Sequence, residues 1–197
     1  MMSGDPAGMM GNCRPAQDDA PIAEILRKED ASDGAKGSGD AVGLKSQQKR
    51  TVHVSTHARV RPDRLTELVV QCIQPAGSRF VMLCDDSIDR GGQGRAPDPL
   101  TYLSCGVAFC YMTQIGRYAQ IVKQKLHDYR VVQDTAFGYG PEEPPMAAAV
   151  ETLVCLDTDE SPADSIKLVR MGEQTCYIHG AYRLPTEVLL NVIGQGG

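Results

Sequence analysis

Seven cysteines carry most of the chemistry available to this 197-residue chain: Cys13, Cys72, Cys84, Cys105, Cys110, Cys155 and Cys176. A thiolate is a nucleophile and a metal ligand, and two thiols held together can cycle through a disulfide. The spacing narrows these options, because no CxxC pair occurs and neither a zinc ribbon nor a thioredoxin-type motif is supported. The cysteines at 72, 84, 105, 110 and 155 fall inside apolar runs, where a cysteine ordinarily serves as a small buried hydrophobe. Cys176 differs. It ends a helical segment between Thr175 and Tyr177, a place for an accessible thiol, with Arg170 or a protonated His179 as a cation favouring the thiolate. A disulfide partner must lie within about 7 Å by Cα, and periodicity alone does not identify it.

Other constellations carry less. His53 and His57 have zinc-pair spacing, but they sit on a strand-like segment with no glutamate between them. Four residues of strand put them about 13 Å apart, too far for one metal. Gly91-Gly92-Gln93-Gly94 before a helix has the look of a phosphate cradle. It lacks both the Lys-Ser/Thr of a P-loop and dinucleotide-fingerprint spacing, and reads as a flexible turn. There is no GxSxG, hence no argument for a serine hydrolase.

The elements that must position these residues are legible from periodicity. Asp98 and Pro99 are an N-cap and a first helical residue. They open the longest apolar segment, 98–122, which carries Cys105 and Cys110 and is apolar nearly all round. Such a helix is expected to be buried, within a domain or between two chains. Before it, β-rich runs at 51–60, 65–73 and 78–84 are separated by the turn-like RPDR and QPAG. After it come strands over 127–139 and 147–157, a helix opened by Ser161-Pro162-Ala163-Asp164 and running towards Cys176, and a last strand over 186–193. The order βββ-α-ββ-α-β predicts an α+β domain over 51–197, helices packed on antiparallel sheet. Residues 1–50 are rich in Gly, Ser, Asp and Ala and read as a flexible extension, with one short amphipathic helix over 21–30 that carries Ile22, Ile25 and Leu26.

A hydrophobic fraction of 42% supports a sizeable core, and a net charge of −5 argues against a nucleic-acid or anionic-membrane surface. No run reaches the ~18 apolar residues of a membrane span, and residues 1–30 lack the apolar stretch of a signal peptide. The expected location is the cytoplasm.

The run DDSIDRGGQGRAPDP over 85–99 resembles the Gly-rich loop, ending in PxP, that precedes the central helix of the OsmC-like family, which includes the organic hydroperoxide resistance (Ohr) proteins. PLTYLSCGVAFC is similar to that family's PLEYLLAALASC helix, and in this register Cys110, not Cys105, falls on the reactive cysteine. Cys176 follows a second helix, as the family's second cysteine does. The resemblance implies an OsmC/Ohr-like α+β fold, an intertwined homodimer and a long central helix buried between sheets, with Cys105 as core filler. It further implies a thiol peroxidase for organic hydroperoxides, with Cys110 peroxidatic, Cys176 resolving and a dithiol as reductant. An arginine beside the thiolate, with Arg59, Arg61 and Arg79 as candidates, is part of the same expectation; no cofactor or metal is.

Two positions depart from the peroxidase pattern. Leu100 stands where those members carry a glutamate that holds the arginine, and Tyr177 stands where proline usually follows the second cysteine. These departures raise the alternative of a non-catalytic OsmC-like protein binding a small apolar or thiol ligand at the dimer interface. A module whose first 50 residues contact a partner is a third.

Overall fold

β-Branched, alternating segments form strands only where another edge satisfies their N–H and C=O groups, and the early chain supplies four such edges. The computed structural model describes residues 25–29, 51–138, 140, 145–184 and 187–191. It divides into two compact units, 1–104 and 105–197. In the first, β1 (Leu26–Glu29), β2 (His53–Val60), β3 (Thr66–Gln74) and β4 (Arg79–Cys84) make an antiparallel sheet in the order β1-β4-β3-β2. The β2–β3 register places Ser55, His57 and Arg59 opposite Gln71, Val69 and Glu67. Arg59 and Glu67 form an ion pair of 2.7 Å across it. The RPDR turn closes with a hydrogen bond from the Arg64 N–H to the Arg61 carbonyl, 2.9 Å, Arg64 taking a left-handed conformation.

The three strands expected at 51–60, 65–73 and 78–84 are present within two residues of those bounds. The helix expected over 21–30 is not: Leu26–Glu29 is strand, with Leu26 opposite Met82 and Glu29 opposite Arg79. An isolated helix that short is marginal, whereas the outer edge of β4 offers a row of unpaired backbone groups. Long-range pairing wins. The rest of residues 1–50 lies outside the described residues.

Helix α1 (Pro99–Val122) runs through the division between the units. Asp98 caps it: one carboxylate oxygen accepts from the N–H groups of Leu100 (2.8 Å) and Thr101 (3.2 Å), the other from the Thr101 hydroxyl (2.8 Å). Such a cap contributes about 1 kcal/mol. In the second unit β5 (Leu126–Asp134) pairs antiparallel with β8 (Glu151–Thr158), and the two-residue strands β6 (Phe137–Gly138) and β7 (Met146–Ala147) pair with each other. Helix α2 (Pro162–Thr175) starts where Ser161, Pro162 and Asp164 predict, the Ser161 hydroxyl accepting from the Asp164 N–H at 3.2 Å. Helix α3 (Tyr177–Arg183) follows at once.

The core of this unit is Tyr111, Ile115 and Ala119 of α1, Leu168 of α2, and Cys176 between α2 and α3. Gly172 lets α2 approach α1, since a Cβ there would stand 2.7 Å from Ile115 Cγ1 and 3.2 Å from Tyr111 Cε2.

Helix α1, one unforeseen helix and one absent strand stand out against the expected order. Helix α1 is not buried all round within the chain: Phe109 is 71% exposed, Leu103 41% and Val122 42%. Its packed side is the stripe Val107, Tyr111, Gln114, Ile115 and Ala119, which follows the 3.6-residue period rather than the total apolar content. Helix α3 has no strong sequence signal, because Gly180 and β-branched or aromatic residues give YIHGAYR low helix propensity. The strand expected over 186–193 is absent from the described part, 187–191, where Leu190 is 85% exposed. An apolar run is strand only when paired, and nothing among the described residues pairs it.

Candidate active site

Cys110 lies on α1, half-buried; Cys176 forms the junction of α2 and α3 and is only 2% exposed. The junction turns Cys176 back into the core, where its thiol is near enough to that of Cys110 for the two to interact. The two are not linked as a disulfide. The fold thus brings together the two cysteines that the resemblance pairs. Cys105 is exposed rather than core filler. Cys84 is buried in the first unit, its thiol donating to the Asp85 carbonyl at 3.7 Å. Burial and the carboxylates of Asp98, Asp85 and Asp86 push its pKa up, so it stays a neutral thiol.

The accessible Cys176 expected from sequence is corrected by this burial. Desolvation pushes its pKa up, while the backbone N–H groups of His179 and Ile178 act on the sulfur in the opposite sense. The expected cation is corrected too. Burial lowers the pKa of His179, Glu173 raising it and Arg183 lowering it. The imidazole is therefore neutral at pH 7, and Arg170 is exposed. His179 packs edge-on against Tyr111, ring centroids 5.1 Å apart at 63°. The Tyr111 hydroxyl donates to the Val169 carbonyl at 3.1 Å, and burial pushes its pKa up to about 12. Tyr111 thus remains a neutral phenol next in sequence to Cys110. Glu173 and Arg183 form an ion pair joining α2 to α3. The imidazole Nδ1 of His179 is buried without a hydrogen-bond partner among the described residues.

The candidate arginines belong to the first unit, and each is engaged there. Arg59 pairs with Glu67, Arg61 with Asp63 at 3.1 Å, and Arg79 with Glu29 at 3.0 Å. At the head of α1 Leu100 is half-buried, and the carboxylate beside it, Asp98, is committed to capping. Its pKa is lowered chiefly by the Thr101 hydroxyl. Among the described residues no group of three or more His, Cys, Asp or Glu is arranged to hold a metal ion. His57 Nε2 lies 3.5 Å from the Ser55 hydroxyl on β2.

The Gly-rich loop is tied down rather than free. Asp85, 8% exposed, accepts from the N–H groups of Asp86 (2.9 Å), Gln93 (3.1 Å) and Arg95 (3.0 Å). These bonds, that from Arg95 foremost, hold its pKa below the usual carboxylate range. A side chain at Gly92 would run into the Asp86 carbonyl. An aspartate pair opening a Gly-rich loop is the sequence signal for such an acceptor.

Folded structures place this architecture. An organic hydroperoxide resistance protein from Elizabethkingia anophelis, crystallised with thiocyanate bound, superposes with a TM-score of 0.53 at 14% identity, covering 69% of this chain and 91% of that one. A protein from Psychrobacter arcticus, titled an osmotic stress induced and detoxification response protein, gives 0.50 at 16% identity, with 70% and 91% covered. An organic hydroperoxide resistance protein OsmC from Legionella pneumophila gives 0.49 at 18%, with 70% and 92% covered. No protein-family model matches the sequence, and neither does any curated protein. The class is therefore an α+β fold with antiparallel sheets and a long helix bearing one of two apposed thiols. More particularly, the chain has the fold of the OsmC-like and organic hydroperoxide resistance proteins.

Proposed function

We propose that this chain is a thiol-dependent peroxidase for organic hydroperoxides, with Cys110 peroxidatic and Cys176 resolving. The observation that carries this reading is the proximity of two thiols far apart in sequence, Cys110 packed against the core that holds Cys176 and interacting with it, one half-exposed and one buried. The more exposed sulfur is the one a hydroperoxide can reach. The Cys110 thiolate attacks the terminal oxygen, the O–O bond breaks, and the alkoxide leaves to be protonated to an alcohol. Cys110 is now a sulfenic acid. The Cys176 sulfur attacks it and the sulfenic oxygen departs as water, leaving a disulfide. A dithiol reductant returns both thiols by exchange and is itself oxidised. In this reading a guanidinium from Arg59, Arg61 or Arg79 supports the thiolate, and the working species is a homodimer that covers the exposed apolar side of α1 around Phe109. Mixing reduced protein with cumene hydroperoxide and mapping disulfides by peptide mass spectrometry tests it. A Cys110–Cys176 disulfide with stoichiometric cumyl alcohol is expected; unchanged thiols at both positions overturn the reading.

A second reading is favoured by Leu100 at the head of α1 and by the upward pKa shift of Cys176. It is a non-catalytic protein of this fold that holds a small apolar or thiol ligand at a dimer interface. It requires hydroperoxide turnover at background level that Cys110→Ser leaves unchanged, and a melting temperature raised by one member of a lipid and thiol panel through binding to the native state.

A further inference from the structure

The register of the first sheet sets polar residues in one row across all four strands. Ser55 lies opposite Gln71, Gln71 opposite Arg79, and Arg79 opposite Glu29. Residues two apart on a strand share a face, which puts His57, Val69 and Ile73 on the same side. With Ser55, Gln71 and Arg79 they line a recess of about 320 Å³. The face is not simply open to water there. Ser55 is the one residue of β2 that is not exposed, and Val81, opposite Val69, is 6% exposed. Arg79 Nε is buried without a hydrogen-bond partner among the described residues. Glu29 Oε2 stands 3.0 Å from that nitrogen, a charge contact without hydrogen-bond alignment.

The charges around the recess leave one cation over. Two guanidiniums, Arg27 and Arg79, share the single carboxylate of Glu29, each at 3.0 Å. Arg59 and Glu67, on the same face, cancel as an ion pair. A guanidinium carries five N–H donors in a fork that matches a carboxylate, and one misaligned contact with Glu29 leaves Arg79 with donors to spare. Beside it the recess offers the Gln71 amide and the Ser55 hydroxyl as further donors, and Val69 and Ile73 as apolar wall. At a water's share of about 30 Å³ it holds about ten heavy atoms, the lower end of ligand pockets.

We propose that this recess binds a small monocarboxylate with an apolar tail, its carboxylate on Arg79 and Gln71 and its tail against Val69 and Ile73. One unmatched positive charge suits a monoanion; a phosphate dianion would keep a charge unmet, and an alcohol would leave the guanidinium unfilled. Strand β1 belongs to the site, because Glu29 competes with the ligand for Arg79. All the residues involved lie in the first unit, and the proposal rests on none of the thiol chemistry. It takes Arg79 for this recess, which leaves Arg59 and Arg61 for the role beside the thiolate.

The test uses the full-length protein with octanoate, octan-1-ol and inorganic phosphate as probes. Calorimetry reads affinity. Histidine ring NMR reads the place, since His57 lines the recess while His127 and His179 belong to the second unit. Octanoate should bind and, of these three, shift His57 alone. Octanol and phosphate should each bind at least about tenfold more weakly, the scale of losing one hydrogen bond to a charged group. Arg79→Gln should weaken octanoate by about the same factor. Glu29→Gln should strengthen it, since the competing carboxylate is gone and Arg79 remains; this opposite sign keeps the test decisive if Arg79→Gln does not fold. The proposal is overturned if octanoate does not bind, binds no better than octanol or phosphate, or moves His127 or His179 instead of His57. Unchanged or weaker binding to Glu29→Gln overturns it as well.

Discussion

Asp85 in the first unit and the Cys176–His179 turn in the second both put polar groups out of reach of water, and they are finished differently. Asp85 is saturated: three backbone N–H groups converge on its carboxylate and Arg95 Nε lies 3.9 Å away. Nothing is left for a ligand or a proton, and the result is a loop of fixed shape leading into the thiol helix. His179 is unsaturated at Nδ1, and Cys176 meets a second thiol instead of a carbonyl. Full satisfaction of a buried group stabilises architecture, whereas a buried acceptor left unfilled is retained at a cost in folding free energy.

The contrast breaks most sharply at the thiols. Cys110→Ser should reduce hydroperoxide consumption to background. Cys176→Ser should allow a single equivalent to be reduced and then stop with a sulfenic acid at Cys110. Counting equivalents of alcohol formed per chain in the absence of reductant separates the two. Equal activity of wild type and Cys110→Ser would place the thiol pair with Asp85, as structure.

Packing that brings the thiols together is the next test. At Gly172→Ala the new methyl meets Ile115 Cγ1 and the ring of Tyr111, and overpacking of this kind typically costs about 1–3 kcal/mol. Tyr111 follows Cys110 in sequence and shares the core with Cys176, so the same change should also slow disulfide closure. Chemical denaturation and rapid-quench thiol counting read the two effects. Gly116→Ala is the control: its nearest neighbour is the flexible far end of Tyr129, at 2.5 Å from the built Cβ, and it should cost less.

How much of this was legible beforehand follows the range of the interaction. Asp98-Pro99 and Ser161-Pro162-Ala163-Asp164 are local signals, and both helices begin there. The three alternating runs before α1 became strands because each has a sequence neighbour to pair with. Where the partner is remote, local reading fails. Leu26–Glu29 joined β4 instead of forming a helix, and 187–191 has an apolar composition but no strand. At the site, the two cysteines were legible only through a family register. Their contact depends on the α2–α3 junction, which periodicity does not predict. Nearness in sequence offers His179 as a cation for Cys176; burial, a tertiary property, makes it neutral.

The saturated side of the comparison has its own pH signature. In the unfolded chain Asp85 titrates near 3.8, and in the fold its pKa is lower. The unfolded state therefore takes up the proton first as pH falls. The stabilisation is complete above about pH 5 and is lost as pH drops through 3.8 to the folded value. Asp85→Asn has no carboxylate to protonate, so it should lower the melting temperature at pH 7 and lose less between pH 5 and pH 3 than wild type loses. Asp98 shifts in the same direction, so part of the acid sensitivity should remain. An unchanged acid profile would mean that the loop does not depend on this carboxylate.

The smallest expected effect falls on the other thiol of the same helix. Cys105 is exposed and one turn from Phe109, on the same side of α1. Because its side chain is exposed, Cys105→Ser should change stability by no more than about 0.5 kcal/mol and leave hydroperoxide turnover unchanged. Its labelling rate is more informative than its removal. If a second copy covers the Phe109 side, modification of Cys105 by an aromatic disulfide should slow as protein concentration rises, while Cys110 closure with Cys176, an event within one chain, should not. A Cys105 rate independent of concentration over the range in which sedimentation detects a dimer would show that the copies meet elsewhere, and the exposed apolar side of α1 would then need a different occupant.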